Sequence, residues 1–262
     1  MRKDGMTKSS KRSHGRSSGN SRKRSFDGQV IHNTILLDLP RQESERVFAK
    51  MELVQTPPRH VLNETAQPIS FVYFVNSGLI SILNIMSDGK SVEVGLTGKE
   101  GFVGLPIAVG FGISPTRALA QVAGTAFRVS AKAMENILRE CPELEKHLHR
   151  YALELALQGA QLAACNRLHE VDERLARWLL MSQDRVGRSD LSLTQESLSM
   201  MLGTRRASVT IAAGILQKAG FITYQRGHVK IENRPALEAA ACECYRILNQ
   251  HLKRWQNNSH AV

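Results

Sequence analysis

The chain has 262 residues, 42% of them hydrophobic, and a formal net charge of +11. That length and composition suit one or two packed domains, and no apolar run reaches the roughly eighteen residues of a membrane-spanning helix. The charge is unevenly placed: residues 1–27 hold nine Lys/Arg against two Asp, residues 28–165 hold 12 basic against 13 acidic, and residues 166–262 hold 14 against nine. A neutral middle beside a basic C-terminal part points to a nucleic-acid partner for that part. The basic N-terminus lacks the apolar stretch of a secretory signal. Cys141, Cys165, Cys242 and Cys244 form no Cys-x-x-Cys pair and show no zinc spacing, so no metal is expected. Cys242 and Cys244 are too close for an easy mutual disulfide, and all four cysteines read as reduced thiols of a cytoplasmic protein.

Residues 1–27 are rich in Ser, Gly, Lys and Arg, with Phe26 as their one aromatic. Such a segment buries too little apolar surface to offset its ordering entropy and reads as a disordered tail. A solvated tail is preferred over an arm that contacts phosphates. Residues 28–60 read as helical and irregular, closed by Pro57-Pro58. Strand-like runs follow at Ile69–Val75, Leu79–Met86 and Ser91–Leu96, separated by Asn76-Ser77-Gly78 and Ser87-Asp88-Gly89-Lys90. Two more short strands lie within Arg117–Val129 around Gly124-Thr125, which implies a compact β-sandwich or barrel. Near Ala131 the period becomes helical. Leu144, Leu148, Tyr151, Leu155, Gln158, Leu162 and Cys165 step alternately by four and three, a heptad seam with one polar member. A helix packed on its own domain competes with this reading, but the flanking Glu143, Lys146 and Glu154 favour a two-helix dimer seam. Leu168–Met181 continues as a second amphipathic helix.

Thr194 is a good N-cap for a helix through Leu202, and Glu196 complements its dipole. Gly203 permits the positive φ of a tight helix–helix corner, and Ser199 is small where a second helix crosses. That second helix starts at Arg205-Arg206. Val209, Ala212 and Leu216 face its core, while Arg205, Arg206 and Ser208 project from the N-terminal turn, where a recognition helix reaches base edges. After Gly220, two short strands flank Arg226-Gly227, a β-wing whose tip carries Arg226 and His228. The register of all these features together reads as a winged helix-turn-helix.

These motifs, with Phe71-Val-Tyr-Phe-Val-Asn-Ser-Gly78 and Gly101-Phe-Val-Gly104, resemble the Crp–Fnr family of bacterial regulators over about residues 30–245. The resemblance implies a cyclic-nucleotide-type β-roll, a homodimerising helix, two-fold symmetric DNA sites and contact with RNA polymerase. It places Arg206 on the family's recognition-helix arginine and Thr194, beside Gln195, near the phosphate backbone. Ala207 stands where the family has a glutamate, and Ile211 where it has a second arginine, so the target sequence should differ. Gly101, Phe102, Gly104, Arg117 and Ala118 fall on the nucleotide cassette. Phe102 replaces the carboxylate that accepts from the ribose hydroxyl, and Ala118 replaces the serine of an Arg-Ser phosphate pair. The segment Leu105–Thr116 is longer than usual. A buried hydroxyl left unpaired costs about 1–3 kcal/mol, so cyclic AMP is not the expected effector, which stays unidentified. Arg117 is open to two readings, a kept phosphate ligand or a salt-bridged surface arginine. The iron–sulfur branch is disfavoured, since no Cys precedes Cys141.

The expected fold is α+β: a jelly-roll-like β-roll, a long dimerisation helix, then a winged helix-turn-helix. The expected division is 1–27 tail, 28–131 sensor, 132–166 dimerisation helix, 167–245 DNA-binding domain and 246–262 C-terminal tail. The function read is transcription regulation by a DNA-binding homodimer. The competing reading is a cyclic-nucleotide-binding module with no DNA role, against which the double arginine, the wing and the basic C-terminal third argue. No nucleophile–base constellation supports an enzyme, and Asp172-Glu173 reads as the charged first turn of a helix.

Overall fold

A computed structural model of the chain describes residues 24–258, so the expected tail lies outside the described residues up to residue 23. Its last residues do not form a tail: Ser25–Phe26 (β1) pairs with Gln29–Val30 (β2), and Phe26 packs edge-on against Phe48 and Phe127. Thr34–Asp38 (α1) and Arg41–Phe48 (α2) follow. The β-roll runs through Glu52–Thr56 (β3), Val61–Asn63 (β4), Phe71–Val75 (β5), Leu79–Ile85 (β6), Ser91–Thr97 (β7) and Phe102–Val103 (β8). A single-turn helix, Leu105–Ala108 (α3), precedes Arg117–Val122 (β9) and Gly124–Ser130 (β10). The β3 strand lies within the stretch read as helical and irregular, where Glu52–Thr56 has too little alternation to announce itself.

Two four-stranded antiparallel sheets face each other, in the orders β3-β10-β5-β8 and β4-β9-β6-β7. Tyr73, Val75, Ile80, Ile82 and Ala126 fill the space between them. Both outer faces are buried as well. Val72, Phe74, Phe127 and Val129 pack outward under the helices Ala131–Glu140 (α4) and Pro142–Leu168 (α5). Leu79, Leu83 and Leu96 pack outward on the other side, in one continuous core with the C-terminal domain. Hence Leu79–Leu83 is buried at every position, which accounts for its near-continuous apolar sequence.

Pro142 sets the start of α5, since its ring fits the first helical position. The Glu43 carboxylate accepts from the backbone N–H groups of Glu143 and Leu144, at 3.2 and 2.9 Å, and so caps it. The heptad residues of α5 do not face outward. Leu144, Leu148, Tyr151, Gln158, Leu162 and Cys165 are buried within the chain itself. Tyr151 shares a 2.7 Å hydroxyl hydrogen bond with Thr97, Gln158 pairs with the backbone of Leu96, and Leu155 lies over Gly95. The seam is therefore corrected: its N-terminal part joins α5 to its own β-roll, Leu162 and Cys165 pack toward the C-terminal part of the same chain, and a 3-4 spacing alone cannot say which core it serves. The outward face of α5 carries Leu153, 62% exposed, with Ala156, Leu157, Ala160 and Ala164.

The C-terminal domain comprises Val171–Val186 (α6), Asp190–Ser192 (β11), Gln195–Leu202 (α7), Arg206–Lys218 (α8), Ile222–Gln225 (β12), His228–Ile231 (β13) and Arg234–Ala240 (α9). Glu170 and Glu173 form a reciprocal capping box at the start of α6. Beyond it Cys244–Asn258 (α10) packs back along α5, bringing Trp255 against Tyr151. Residues 246–258 are thus helical and not the expected C-terminal tail. The reason is an apolar stripe, Tyr245, Leu248 and Trp255, which gives the helix a face to bury.

Candidate nucleic-acid interface and sensor cavity

The corner between α7 and α8 turns on Gly203, whose φ is +56°. A Cβ there would also lie 2.8 Å from Val92 of the β-roll, so both backbone conformation and space require glycine. Leu198, Met201, Leu202, Val209, Ala212 and Leu216 are buried as the core of the two helices. Thr194 caps α7 by accepting from the backbone N–H of Ser197 at 3.1 Å. This leaves Arg205, Arg206 and Ile211 exposed on the outer side of α8, with Ser208 half-buried.

The wing closes from the other side. β12 and β13 pair from Ile222↔Ile231 to Gln225↔His228, and Arg226 at their turn has φ +48°. The third strand, β11, was not apparent from sequence because Asp190–Ser192 is only three residues long. Leu193 N–H donates to Gly227 O at 2.7 Å, which ties the wing tip to the start of α7. Thr194, Gln195, Arg206 and Arg226 consequently surround one open depression of about 390 Å³, joined by Tyr224. Arg206 Nε donates to Gln195 Oε1 at 3.2 Å, which orients the guanidinium without neutralising it. The Tyr224 hydroxyl donates to Leu193 O at 3.1 Å, and burial raises its pKa. Tyr224 was missed by sequence reasoning, where it read only as a strand residue. His228 is exposed and lies apart from the depression, 3.3 Å from Ser192 Oγ and 3.9 Å from Asp190. The arrangement offers an exposed helix N-terminus, two guanidiniums and a capped hydroxyl on one face, the donors a phosphate backbone and base edges require.

The cassette residues divide. Gly101 lies beneath Tyr151, with no room for a Cβ, and serves the packing of α5. Phe102 is in the core, its ring 4.8 Å from that of Phe74. Gly104 and Ala118 line a cavity of about 560 Å³. That cavity is walled by Ile82, Val94, Phe102 and Ile113 and floored by Leu148 and Leu155 of α5. Arg117 does not line it; its guanidinium grips Glu64 at 3.0 Å, and the hydrogen bond holds the Glu64 carboxyl below its ordinary range. Arg117 is therefore the salt-bridged arginine of the two readings. The long segment before it leaves Val109, Phe111 and Ile113 exposed at the cavity mouth.

Two polar contacts are buried between sensor and DNA-binding domains. Glu93 accepts from Ser81 Oγ at 2.5 Å and from Trp178 Nε1 at 2.9 Å. Burial pushes its pKa up to about 7. Arg185 donates to Glu100 at 2.6 Å, with the two side chains only 7% and 5% exposed. The three C-terminal cysteines also converge: Cys165, Cys242 and Cys244 are buried side by side, apart from Cys141. The expectation of no metal spacing was drawn from the linear sequence, which hides a pairing across 77 residues.

Residues 173–240 match the model of the Crp-like helix-turn-helix domain, and residues 53–141 that of the cyclic nucleotide-binding domain. The fold is similar to that of the c-di-GMP responsive global regulator CLP of Xanthomonas campestris, with TM-score 0.62 and 17% identity over 73% of this chain and 99% of that one. It is also similar to FixK2 of Bradyrhizobium japonicum, with TM-score 0.63 and 16% identity over 73% and 98% of the two chains. A crp/fnr-family regulator of Eubacterium rectale gives TM-score 0.62 and 16% identity over 78% and 95%. No curated protein sequence matches the chain. Among the described residues, no helix is long and apolar enough to cross a membrane.

Proposed function

The chain belongs to the Crp–Fnr family of DNA-binding transcription regulators, and from that premise we propose that it acts as a cytoplasmic homodimer on an inverted-repeat site, in contact with RNA polymerase. The observation that carries the DNA reading is the convergence of Thr194, Gln195, Arg206 and Arg226 on one open face. Arg206 reads a guanine through its O6 and N7, and Arg205 and Arg226 hold phosphates. Ile211 packs on a thymine methyl. Two recognition helices related by a two-fold axis enter major grooves about 34–36 Å apart, which sets the half-site spacing.

The dimer forms on the outward face of α5. Leu153, Ala156, Leu157, Ala160 and Ala164 make an exposed apolar stripe whose small residues let two helices approach closely. Leu153→Arg should give a monomer in sedimentation with loss of DNA affinity, whereas Leu155→Arg should lower the melting temperature of the fold. A dimer of unchanged mass in Leu153→Arg sinks this interface. The division into sensor, α5 and DNA-binding domain near residues 131 and 167 is part of the same reading.

The effector is something other than cyclic AMP. The largely apolar cavity, the burial of Phe102 and the pairing of Arg117 with Glu64 support this, because among the described residues no carboxylate and no arginine lines the space, whose polar groups are Asn63, Ser114, Thr116 and His149. Calorimetry should show no cyclic AMP binding at physiological concentration. Saturable micromolar binding abolished by Arg117→Ala would reverse the conclusion. Selection from a randomised duplex library tests the central claim: an enriched inverted repeat supports it, and the absence of any enriched sequence refutes it.

A further inference from the structure

Three thiols and an imidazole meet where α5 ends and α10 begins. Cys165 and His169 come from the end of α5 and the residue after it, and Cys242 and Cys244 from the chain entering α10. Their ligand atoms all lie within 4.8 Å of one another. Cys165 Sγ is 3.5 Å from Cys242 Sγ, and Cys244 Sγ is 3.6 Å from His169 Nδ1. Zinc with Zn–S near 2.3 Å and Zn–N near 2.0–2.1 Å sets the ligand atoms of such a tetrahedral set about 3.5–3.8 Å apart, so the group needs a contraction of about 1 Å at its widest to close on one ion. So small a spread suits a single ion and leaves no room for a cluster of several irons.

The surroundings are those of a ligand set. Glu243 Oε2 lies 3.0 Å from His169 Nε2, which anchors the far nitrogen and turns Nδ1 toward the thiols. Gln161 Nε2 donates to Cys244 Sγ at 3.1 Å. Arg177, 2% exposed, and the buried Arg174 both leave Nε without a hydrogen-bond partner among the described residues. Two buried guanidiniums call for negative charge nearby. A zinc ion held by three thiolates and one neutral imidazole carries a net −1 and supplies it.

We infer that Cys165, His169, Cys242 and Cys244 form a closed, four-coordinate structural zinc site that clasps the C-terminal helix to the hinge between α5 and α6. No redox change is involved. Three S–H bonds break, three Zn–S bonds and one Zn–N bond form, and three protons and the water ligands of the incoming ion leave to solvent. The clasp bears on the DNA-binding domain through Arg174, which donates to Leu202 O at the end of α7. It also fixes the near end of α10, whose far end carries Trp255 to Tyr151 beside the sensor.

The test uses the full chain, purified under reducing conditions and reconstituted with zinc. Elemental analysis should find about one zinc per chain. Cobalt(II) in its place should give a thiolate-to-metal charge-transfer band and the intense visible bands of a tetrahedral ion. Cys242→Ser and His169→Ala should weaken zinc binding by more than about 100-fold, beyond what loss of an outer-shell partner costs, and Cys141→Ser should leave it unchanged. If the variants fail to fold, alkylation of the wild-type protein in mild denaturant decides: zinc should slow the reaction of three of the four cysteines and a chelator should release those three, with Cys141, buried elsewhere, indifferent to both. Cobalt(II) bound without a thiolate band, iron in place of zinc, or a Cys165–Cys242 disulfide with no bound metal would each overturn the assignment.

Discussion

Arg185 and Arg206 are the same residue type in one domain, yet they do opposite work. Arg185 sits on α6 against the β-roll, nearly sealed from solvent, with its charge answered by Glu100 at 2.6 Å. Arg206 sits at the start of α8, exposed, with the neutral Gln195 as its side-chain hydrogen-bond partner among the described residues. The first guanidinium is paired inside the chain, while the second stays exposed and without a carboxylate partner among the described residues, as the proposed base reader requires. The same contrast separates Arg117, paired with Glu64, from Arg226 at the wing tip. Exposure and pairing, not residue type, separate the two paired structural arginines from the two proposed for DNA recognition.

The contrast predicts that Arg185→Ala costs stability and Arg206→Ala does not. Removing Arg185 leaves Glu100 buried and unpaired, at a cost of about 3–5 kcal/mol in chemical unfolding. Arg206→Ala should leave the unfolding midpoint unchanged. If Arg185→Ala costs less than about 1 kcal/mol, the domain contact is wet and the comparison fails.

Glu93 sharpens the point by pH. Its folded pKa of about 7 lies above the ordinary 4.5, so the folded chain keeps a proton that the unfolded chain has released. That contribution is full below about pH 4.5 and is lost as pH rises through about 7, on the order of 3 kcal/mol in all. Glu93→Gln keeps both hydrogen bonds, since its amide can donate to Ser81 and accept from Trp178. The variant should gain stability relative to wild type above pH 7. Equal slopes between pH 4.5 and 7 in both proteins would remove Glu93 as the titrating group.

What was legible in the sequence follows the same division. The helix-turn-helix could be read because Thr194, Gly203, Val209 and Arg206 must occupy fixed positions along a local segment. Strands β5 to β7, β9 and β10 could be read because turn residues separate short, largely apolar runs. The face of α5 could not, because a 3-4 spacing of apolar residues is the same whether the helix meets a partner or its own sheet. Gln158 held the clue: a polar member of the seam that pairs with the Leu96 backbone belongs to the chain's own strand. The cysteine–histidine group was illegible for another reason. Its members come from segments 77 residues apart, and only the return of α10 along α5 brings them together.

The smaller effects lie on the DNA face. Arg206→Ala should cost roughly 1–3 kcal/mol per half-site and relax preference at one symmetric pair of positions, read by binding to a randomised library. A uniform loss with preference intact would make Arg206 a backbone clamp. Arg205 should behave differently because it is the N-cap of α8, with φ −76° and ψ 146°, so its side chain departs before the first helical turn. Adjacent helical positions already diverge by about 100°, and the extended backbone at Arg205 turns it further from the base-reading side. A guanidinium there meets phosphate, which is the same at every sequence. Arg205→Ala should therefore weaken all duplexes alike and leave the ranking of sites unchanged. Each phosphate contact it surrenders should flatten the slope of log affinity against log salt by about 0.9. Titrations of a specific and a scrambled duplex at several salt concentrations provide the measurement. A change in the ratio of the two affinities, with the salt slope unaltered, would exchange the roles assigned to Arg205 and Arg206.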